Sequence, residues 1–547
     1  MRGFDEPCRS RREEAHSSKS EIRNSKSERL PSLRPFLTGR GGKPSRLSCV
    51  GLGHALACLL FLATASALAA PPAIKHASPS AIAPGQTTEV TFFGSDLEGA
   101  ASLWTSFDAK AEKVHCAPDQ AVFSISLPKR CGIGLGAVRL AATNGVSSLL
   151  LMMIDGLPGI MADGTNHSPA AAQVLKPPVA VEGMCEEKTS DFFKVRARKG
   201  QSLSFEVVAQ RIGSALDPLA RLFDASGREL VFCEDTPGAG VDCRFTHRFE
   251  RTGEYLFELR DTRYEGGRQY RYRLRVGDFP AEPIPLPFHA KPEFDQPVSL
   301  LPEIAEVEPN DTAPQKISIP ACIKGRFAKT NDRDCFQFEA RDGDCLVFHS
   351  RTRSLGSPCD LYLRLENAEG RKLAESPMTG PEETSLTNSF KSSGAFQLVV
   401  EEAAQSGGPE YFYRLEVEPF RPGFALSVET DKLQAPSGGS VDIKVFQERR
   451  GYDGPITLAL AGVADGFGLE TNVLAATTNA TPVTLRLPAG LEPGQLVNFR
   501  MMGHASIGGQ EFEAAVSTRP ALRKLFPHLP WPPPALDGWM ALGVTSK

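Results

Sequence analysis

Residues 191–230 read DFFKVRARKGQSLSFEVVAQRIGSALDPLARLFDASGREL, and they lie without a gap on residues 334–373 when the chain is shifted by 143 positions. Sixteen of the 40 positions are identical, among them Phe193/Phe336, Gly200/Gly343, Leu203/Leu346, Phe205/Phe348, Asp217/Asp360 and Gly227/Gly370. A shift of 141 then sets TGEYLFELRD (252–261) on SGAFQLVVEE (393–402) and YRYRLRV (270–276) on YFYRLEV (411–417). Each copy reads as strand, Gly turn, strand, Asp-initiated strand, Gly turn and a closing hairpin with aromatics on alternate positions. At about 120 residues, one copy suits a single antiparallel β-sandwich. The repeat therefore sets the fold class: all-β, built from sandwich modules.

The flanking sequence extends that reading. In 74–160, a Pro-Gly turn precedes the alternating Thr88-Glu89-Val90-Thr91-Phe92, and AVFSISL and GAVRLAATNG supply further strands. The stretch SPSAIAPGQTTEVTFFGSDLEGAASLW resembles the IPT/TIG class of immunoglobulin-like domains. Residues 424–519 alternate again (SVDIKVFQE, PITLALAGV, PVTLRLP) and read as another immunoglobulin-like sandwich. The expected order is a leader and signal over 1–69, sandwiches at 74–160, 161–278, 303–420 and 424–519, a Pro-rich linker at 279–302 and a Pro-rich tail at 520–547. Within that tail, Trp539–Val544 either completes the fourth module or opens something further.

Length and charge agree with this plan. A chain of 547 residues is too long for one core. Its 49 Gly and 43 Pro fit turn-rich β structure. The net charge of −4 hides 12 Lys/Arg against 6 Asp/Glu in residues 1–46, so the remainder carries −10. An acidic body excludes nucleic acid as the expected partner.

Residues 47–69, LSCVGLGHALACLLFLATASALA, carry no charge and end in a small-x-small site, the pattern of a secretory signal cleaved near Ala69. The n-region is long enough that a mis-assigned start accounts for residues 1–45. An uncleaved segment would instead anchor the chain, the only case in which a membrane is a partner. The expected address is secreted, periplasmic or cell-surface.

Export makes disulfides the default for the cysteines beyond the signal. Cys116–Cys131 and Cys233–Cys243 are the expected bridges in modules one and two, with Cys185 left over. In module three the hairpin around Asp342-Gly343 disfavours Cys335–Cys345. That leaves Cys322–Cys335 with Cys345–Cys359, or Cys322–Cys345 with Cys335–Cys359.

One stretch concentrates oxygen ligands where neither helix nor long strand can form: EVEPNDTAPQ, 306–315. Glu308, Asn310 and Asp311 fall within four residues, and Pro309 restricts the backbone that presents them. Asp332 and Asp334 flank Arg333 where the first strand begins. Hard cations take six to eight such oxygens; the alternative is a solvated Asx turn. EVEPNDTAPQ followed by KGRFAKTNDRDCFQFEARDGDCLVF resembles the bacterial pre-peptidase C-terminal (PPC) domain, over 303–420 and more loosely over 161–278. That family is similar to the collagen-binding domains of clostridial collagenases. The resemblance implies calcium held by Glu308, Asn310, Asp311, Asp332 and Asp334. In the first copy Gly164-Thr165-Asn166 replaces Glu308-Pro309-Asn310, and Ser190 stands where another acid could precede Asp191. Calcium is therefore expected in the third module only.

PPC-like domains accompany peptidases, so catalytic signatures were sought. The Gly-Thr-Ser-x-Ala elbow and His-Glu-x-x-His are absent, and HASIGG (504–509) sits in a hairpin pattern without an elbow. Each histidine reads as isolated. No enzyme is expected. The reading is an exported, non-catalytic binding or adhesion protein with an extracellular protein or polysaccharide ligand. The alternative is an accessory part of a secreted peptidase or other hydrolase system.

Overall fold

A computed structural model describes residues 70–279 and 299–546 except 379 and 477. The signal segment, and all but the ends of the 279–302 linker, lie outside the described residues. Three two-sheet sandwiches are followed by a fourth module whose ten strands are hydrogen-bonded into one sheet around a single core, and the all-β multidomain reading holds.

The two repeats share one topology. In the first, one sheet orders Gly159–Met161, Val179–Met184, Arg271–Gly277, Ser202–Val208 and Arg244–Arg248; the other orders Gln173–Leu175, Asp191–Ala197, Gly253–Asp261, Pro218–Phe223 and Glu229–Cys233. The second repeats this with Glu303–Ala305, Ala321–Arg326, Phe412–Pro419, Cys345–Arg351 and Ser385–Ser389 facing Gln315–Lys316, Arg333–Ala340, Gly394–Glu402, Leu361–Asn367 and Lys372–Glu375. Alternation explains the shared identities: Phe193, Phe205 and Phe257 meet inside copy one, and Phe336, Phe338, Phe348 and Phe396 inside copy two. Each such ring contributes about 1.5–3 kcal/mol by leaving water.

In both copies the leader crosses the open end of its sandwich. Glu303–Ala305 runs parallel beside Ala321–Arg326 in one sheet, and Gln315–Lys316 runs parallel beside Arg333–Ala340 in the other. The EVEPND stretch spans the gap between them. Gln315 fixes the crossing by donating to Ala305 O and accepting from Val307 N, and Gln173 does the same for Met161 O and Asp163 N.

The end of the chain corrects an expectation. Residues assigned to a tail supply the strand Trp539–Thr545, which pairs in parallel with Lys432–Pro436 and antiparallel with Leu496–Ile507 inside the fourth module. Before it, the helix Arg519–Leu525 and the residues after it lay Leu522, Phe526, Leu529 and Leu536 on Ala137, Leu149 and Leu151 of module one. Arg519 and Arg523 reach Glu382 of module three at 2.9 and 2.7 Å, and Trp531 lies under the guanidinium groups of Arg353, Arg519 and Arg523.

Modules one and two share a buried ionic network. Arg273 reaches Asp155 and Glu182 at 2.8 and 2.9 Å, while Glu206 binds Arg211, Arg244 and Arg275. Asp242 closes the network on Arg211 at 2.8 Å.

The module-three bridges fail on strand geometry. Ile323, Phe336 and Leu346 point into the core, so neighbouring Cys322, Cys335 and Cys345 lie on the opposite faces of their strands, Cys322 and Cys335 still buried, whereas Cys359 is a core residue. Cys322 and Cys335 belong to different sheets, and sheets pack about 10 Å apart. Cys322 and Cys345 share a sheet but are separated by the strand Phe412–Pro419, where Cys322 faces Glu416 and Leu346 faces Pro419. Two strand spacings already exceed the roughly 7 Å Cα limit for a disulfide. Cys116 and Cys131 are thiols here too. So are Cys233 and Cys243, with Cys243 Sγ donating to Cys233 O at 3.2 Å.

Candidate functional site

Gly325 starts the construction. A Cβ on it would fall 2.2 Å from Cζ of Tyr413, so only glycine lets that ring lie flat across the strand. The ring carries its hydroxyl into the sandwich end, where it donates to Asp334 Oδ2 at 2.5 Å. Gly183, Tyr272 and Asp191 repeat the arrangement in copy one, again with a 2.5 Å bond. Each copy thus fixes one carboxylate at the mouth that its leader crosses.

In copy two the leader brings more carboxylates to the same place. Glu306, Glu308 and Asp334 place one oxygen each within 4.8 Å of one another, and so do Glu308, Asp311 and Asp332. Glu308 belongs to both groups. Asp332 is held by Ala328 N at 2.6 Å, Glu306 by Arg326 N at 2.7 Å, and Glu308 by Asn310 N at 2.9 Å. Asn310, fully buried, is engaged on both sides of its amide: Nδ2 donates to Glu306 and Oδ1 accepts from Cys335 N. It clamps the leader to the first strand.

The sequence reading missed Glu306, although its alternation with Glu308 in EVEP was a signal. Arg333 turns away to Glu401, and the nearest cation is Lys329, whose mostly exposed Nζ lies 3.3 Å from Asp311 and 3.5 Å from Asp332.

The electrostatics are strained in one direction. Asp334 is wholly buried, and burial followed by the adjacent Glu306 pushes its carboxyl up to about 9. Burial, then Glu306, Asp332 and Asp311, also raises Glu308, against the opposing bond from Asn310 N. Oδ1 of Asp311 and of Asp334 are buried with no hydrogen-bond partner among the described residues, and Oδ1 of Asp332 has Lys329 Nζ at 3.5 Å. An all-oxygen donor set with orphaned buried oxygens fits a hard divalent cation and does not fit a thiolate-seeking metal.

Copy one meets the same need differently. Ala162 stands where copy two has Glu306, and His167 where it has Asp311. His167 Nδ1 lies 3.1 Å from Asp191 Oδ1 and Nε2 lies 3.7 Å from Glu186. His167 is not isolated, contrary to the sequence reading. Burial raises Asp191, but Tyr272 and His167 counter it.

No family model matches the chain, and no curated protein does. Among solved structures it is similar to the pre-peptidase C-terminal domain of collagenase from Bacillus anthracis, at 15% identity over 21% of this chain and 100% of that one, TM-score 0.17. It is also similar to a putative secreted protein from Eubacterium rectale, at 9% identity over 46% and 81% of the two chains, TM-score 0.16. A third is a protein of the Bacteroides ovatus mixed-linkage glucan utilization locus, solved with a mixed-linkage heptasaccharide, at 8% identity over 62% and 73%, TM-score 0.15.

Proposed function

We propose that the chain is an exported, non-catalytic binding or adhesion protein in which calcium fixes the leader of the third module. The observation that carries the metal is the pair of carboxylate groups sharing Glu308, with an unpartnered Oδ1 on buried Asp334. Glu306, Glu308, Asp311, Asp332 and Asp334 would supply the oxygens, and Asn310 would hold the leader in register. A cation there would offset the burial and the neighbouring Glu306 that raise the Asp334 carboxyl.

The binding role draws on the architecture: four β modules supply loop surfaces, and the long segments are consumed by strands. Export draws on the apolar segment 47–69. No helix among the described residues is long and apolar enough to cross a membrane. The PPC-like reading of both repeats belongs to this proposal, as does an extracellular protein or polysaccharide ligand.

The test is an array of immobilised polysaccharides and fibrous proteins probed with residues 70–547, in calcium and in chelator. Retention on at least one surface, weakened by chelation, is expected. Retention on none, or turnover of a peptide or glycoside substrate, would sink the reading.

A further inference from the structure

A cleft of about 880 Å³ opens where module one meets the first repeat, with the segment after the C-terminal helix at its edge. Its wall from module one is the edge strand Ala73–Ser78, whose pairing with Thr87–Ser95 slips between Ile74 and His76. Lys75 is the extra residue of that bulge, a device that re-aims side chains. His76 then stacks on its cross-strand neighbour Phe93, with ring centroids 4.7 Å apart and planes 14° apart. The opposite wall is the turn leading into Arg271–Gly277, with Arg268 and Arg271.

Lys75, Arg268 and Arg271 are the cations of a lining that also holds Asp119, Glu182, Glu186 and Asp191. Glu182 is taken by Arg273 and by Ser80 N, Asp191 by Tyr272 and His167, and Glu186 faces His167. Exposed Asp119 is the lining acid without an ion pair among the described residues. Against it stand Lys75, Arg268 and Arg271, none in a direct ion pair among the described residues, although Glu182 acts on Arg271 through space. The half-buried Arg271 makes one hydrogen bond there, Nε to Arg268 O at 3.1 Å. The field of these three cations is felt at His76, which burial, then Arg271, Arg268 and Lys75, push down to about 4. Two buried polar atoms of the lining, Ser80 Oγ and Asn166 Oδ1, have no hydrogen-bond partner among the described residues.

We infer that this cleft binds an anionic saccharide, with Arg268, Arg271 and Lys75 receiving its acid group and the Phe93–His76 stack supporting a sugar face. Guanidinium forks match carboxylate and sulfate oxygens. A stacked ring pair offers a flat apolar platform, and unpaired hydroxyl and amide oxygens suit a ligand rich in hydroxyls. An open cleft of mixed polarity does not suit a lipid tail. The site is bipartite, so it exists only while modules one and two are locked, which the Asp155–Arg273 pair and the Ser80–Glu182 bonds accomplish.

This assignment rests on the reading of the chain as a binding protein and names a ligand class for it. Calorimetric titration of residues 70–547 would use trigalacturonate, its methyl ester and a sulfated trisaccharide. The acid is expected to bind at least tenfold more tightly than the ester, and to weaken as salt rises. The sulfated arm shows whether the acid group must be a carboxylate. Arg268→Ala, at an exposed position, should lose about tenfold, and Arg271→Ala should lose more while circular dichroism stays unchanged. Equal affinity for acid and ester, no binding of either anion, or indifference to Arg268→Ala would overturn the assignment. If the array described above still retains the protein in that event, the binding role stands and only this cleft fails; if it retains nothing, the binding role fails as well.

Discussion

Glu308 is the residue to change. Its carboxylate belongs to both oxygen groups, yet its protein contact is a single bond from Asn310 N at 2.9 Å. Glu308→Gln keeps an oxygen for that bond and removes the charge. Opening the leader would release the ion, so calcium favours the closed form by RT ln(1 + [L]/Kd), about 2.7 kcal/mol at a hundredfold excess. That is about a 100-fold shift between open and closed leader. Amide exchange follows local opening, so amides in 303–316 should exchange about 100-fold more slowly in calcium than in chelator. Hydrogen-exchange mass spectrometry on residues 70–547 reads this peptide by peptide. The first repeat's leader, 159–175, is the internal control and should not respond, because His167 already faces Asp191. Glu308→Gln should erase most of the difference. Equal exchange in calcium and chelator for the unaltered chain would refute the metal, and a full response in Glu308→Gln would refute the ligand set.

Three further outcomes follow from the same geometry. His76 is held neutral to about 4 against an ordinary 6.5. The stability this gives is complete above pH 6.5 and is lost as pH falls toward 4, so the edge strand 73–78 should loosen across that window, and His76→Gln should flatten the profile measured by exchange. Glu206→Gln leaves Arg211, Arg244 and Arg275 buried without their shared anion; a loss of about 3–5 kcal/mol in denaturant unfolding is expected, and less than 1 would contradict the network's role. Differential alkylation with peptide mapping should find neither Cys322–Cys335 nor Cys322–Cys345 linked.

What the sequence made legible is what strand alternation and repetition control. The shift of 143 residues pairs Asp191–Ala197 with Arg333–Ala340, and the structure gives the two strands the same neighbours. Four of the implied ligands, Glu308, Asp311, Asp332 and Asp334, converge because leader and strand entry meet at one sandwich end. Glu306 was signalled only by its alternation with Glu308; that it reaches Asp334 depends on how the leader crosses between sheets. The contact of His167 with Asp191 was hidden, since the two lie 24 positions apart in sequence. The module-three pairings with Cys322 fail because strand order, rather than distance from a turn, decides which thiols can meet. Trp539–Thr545 was ambiguous behind its prolines, and only its pairing with two distant strands decides it.

The two repeats pose one electrostatic problem and answer it twice. A glycine admits a tyrosine, the tyrosine fixes an aspartate, and the leader must then cover a buried negative charge. In copy two the leader brings more carboxylates, which makes closure unfavourable unless a cation or a proton arrives. In copy one it brings the imidazole of His167, whose Nδ1 lies 3.1 Å from Asp191. The scaffold tolerates both because the hydrophobic cores lie below the mouth and are built from the shared phenylalanines. If the third module holds calcium as proposed, closure of its leader would respond to the surrounding medium, whereas the second module's leader has no such carboxylate group among the described residues. A calcium-rich exterior would keep both leaders shut, and chelation would release only one.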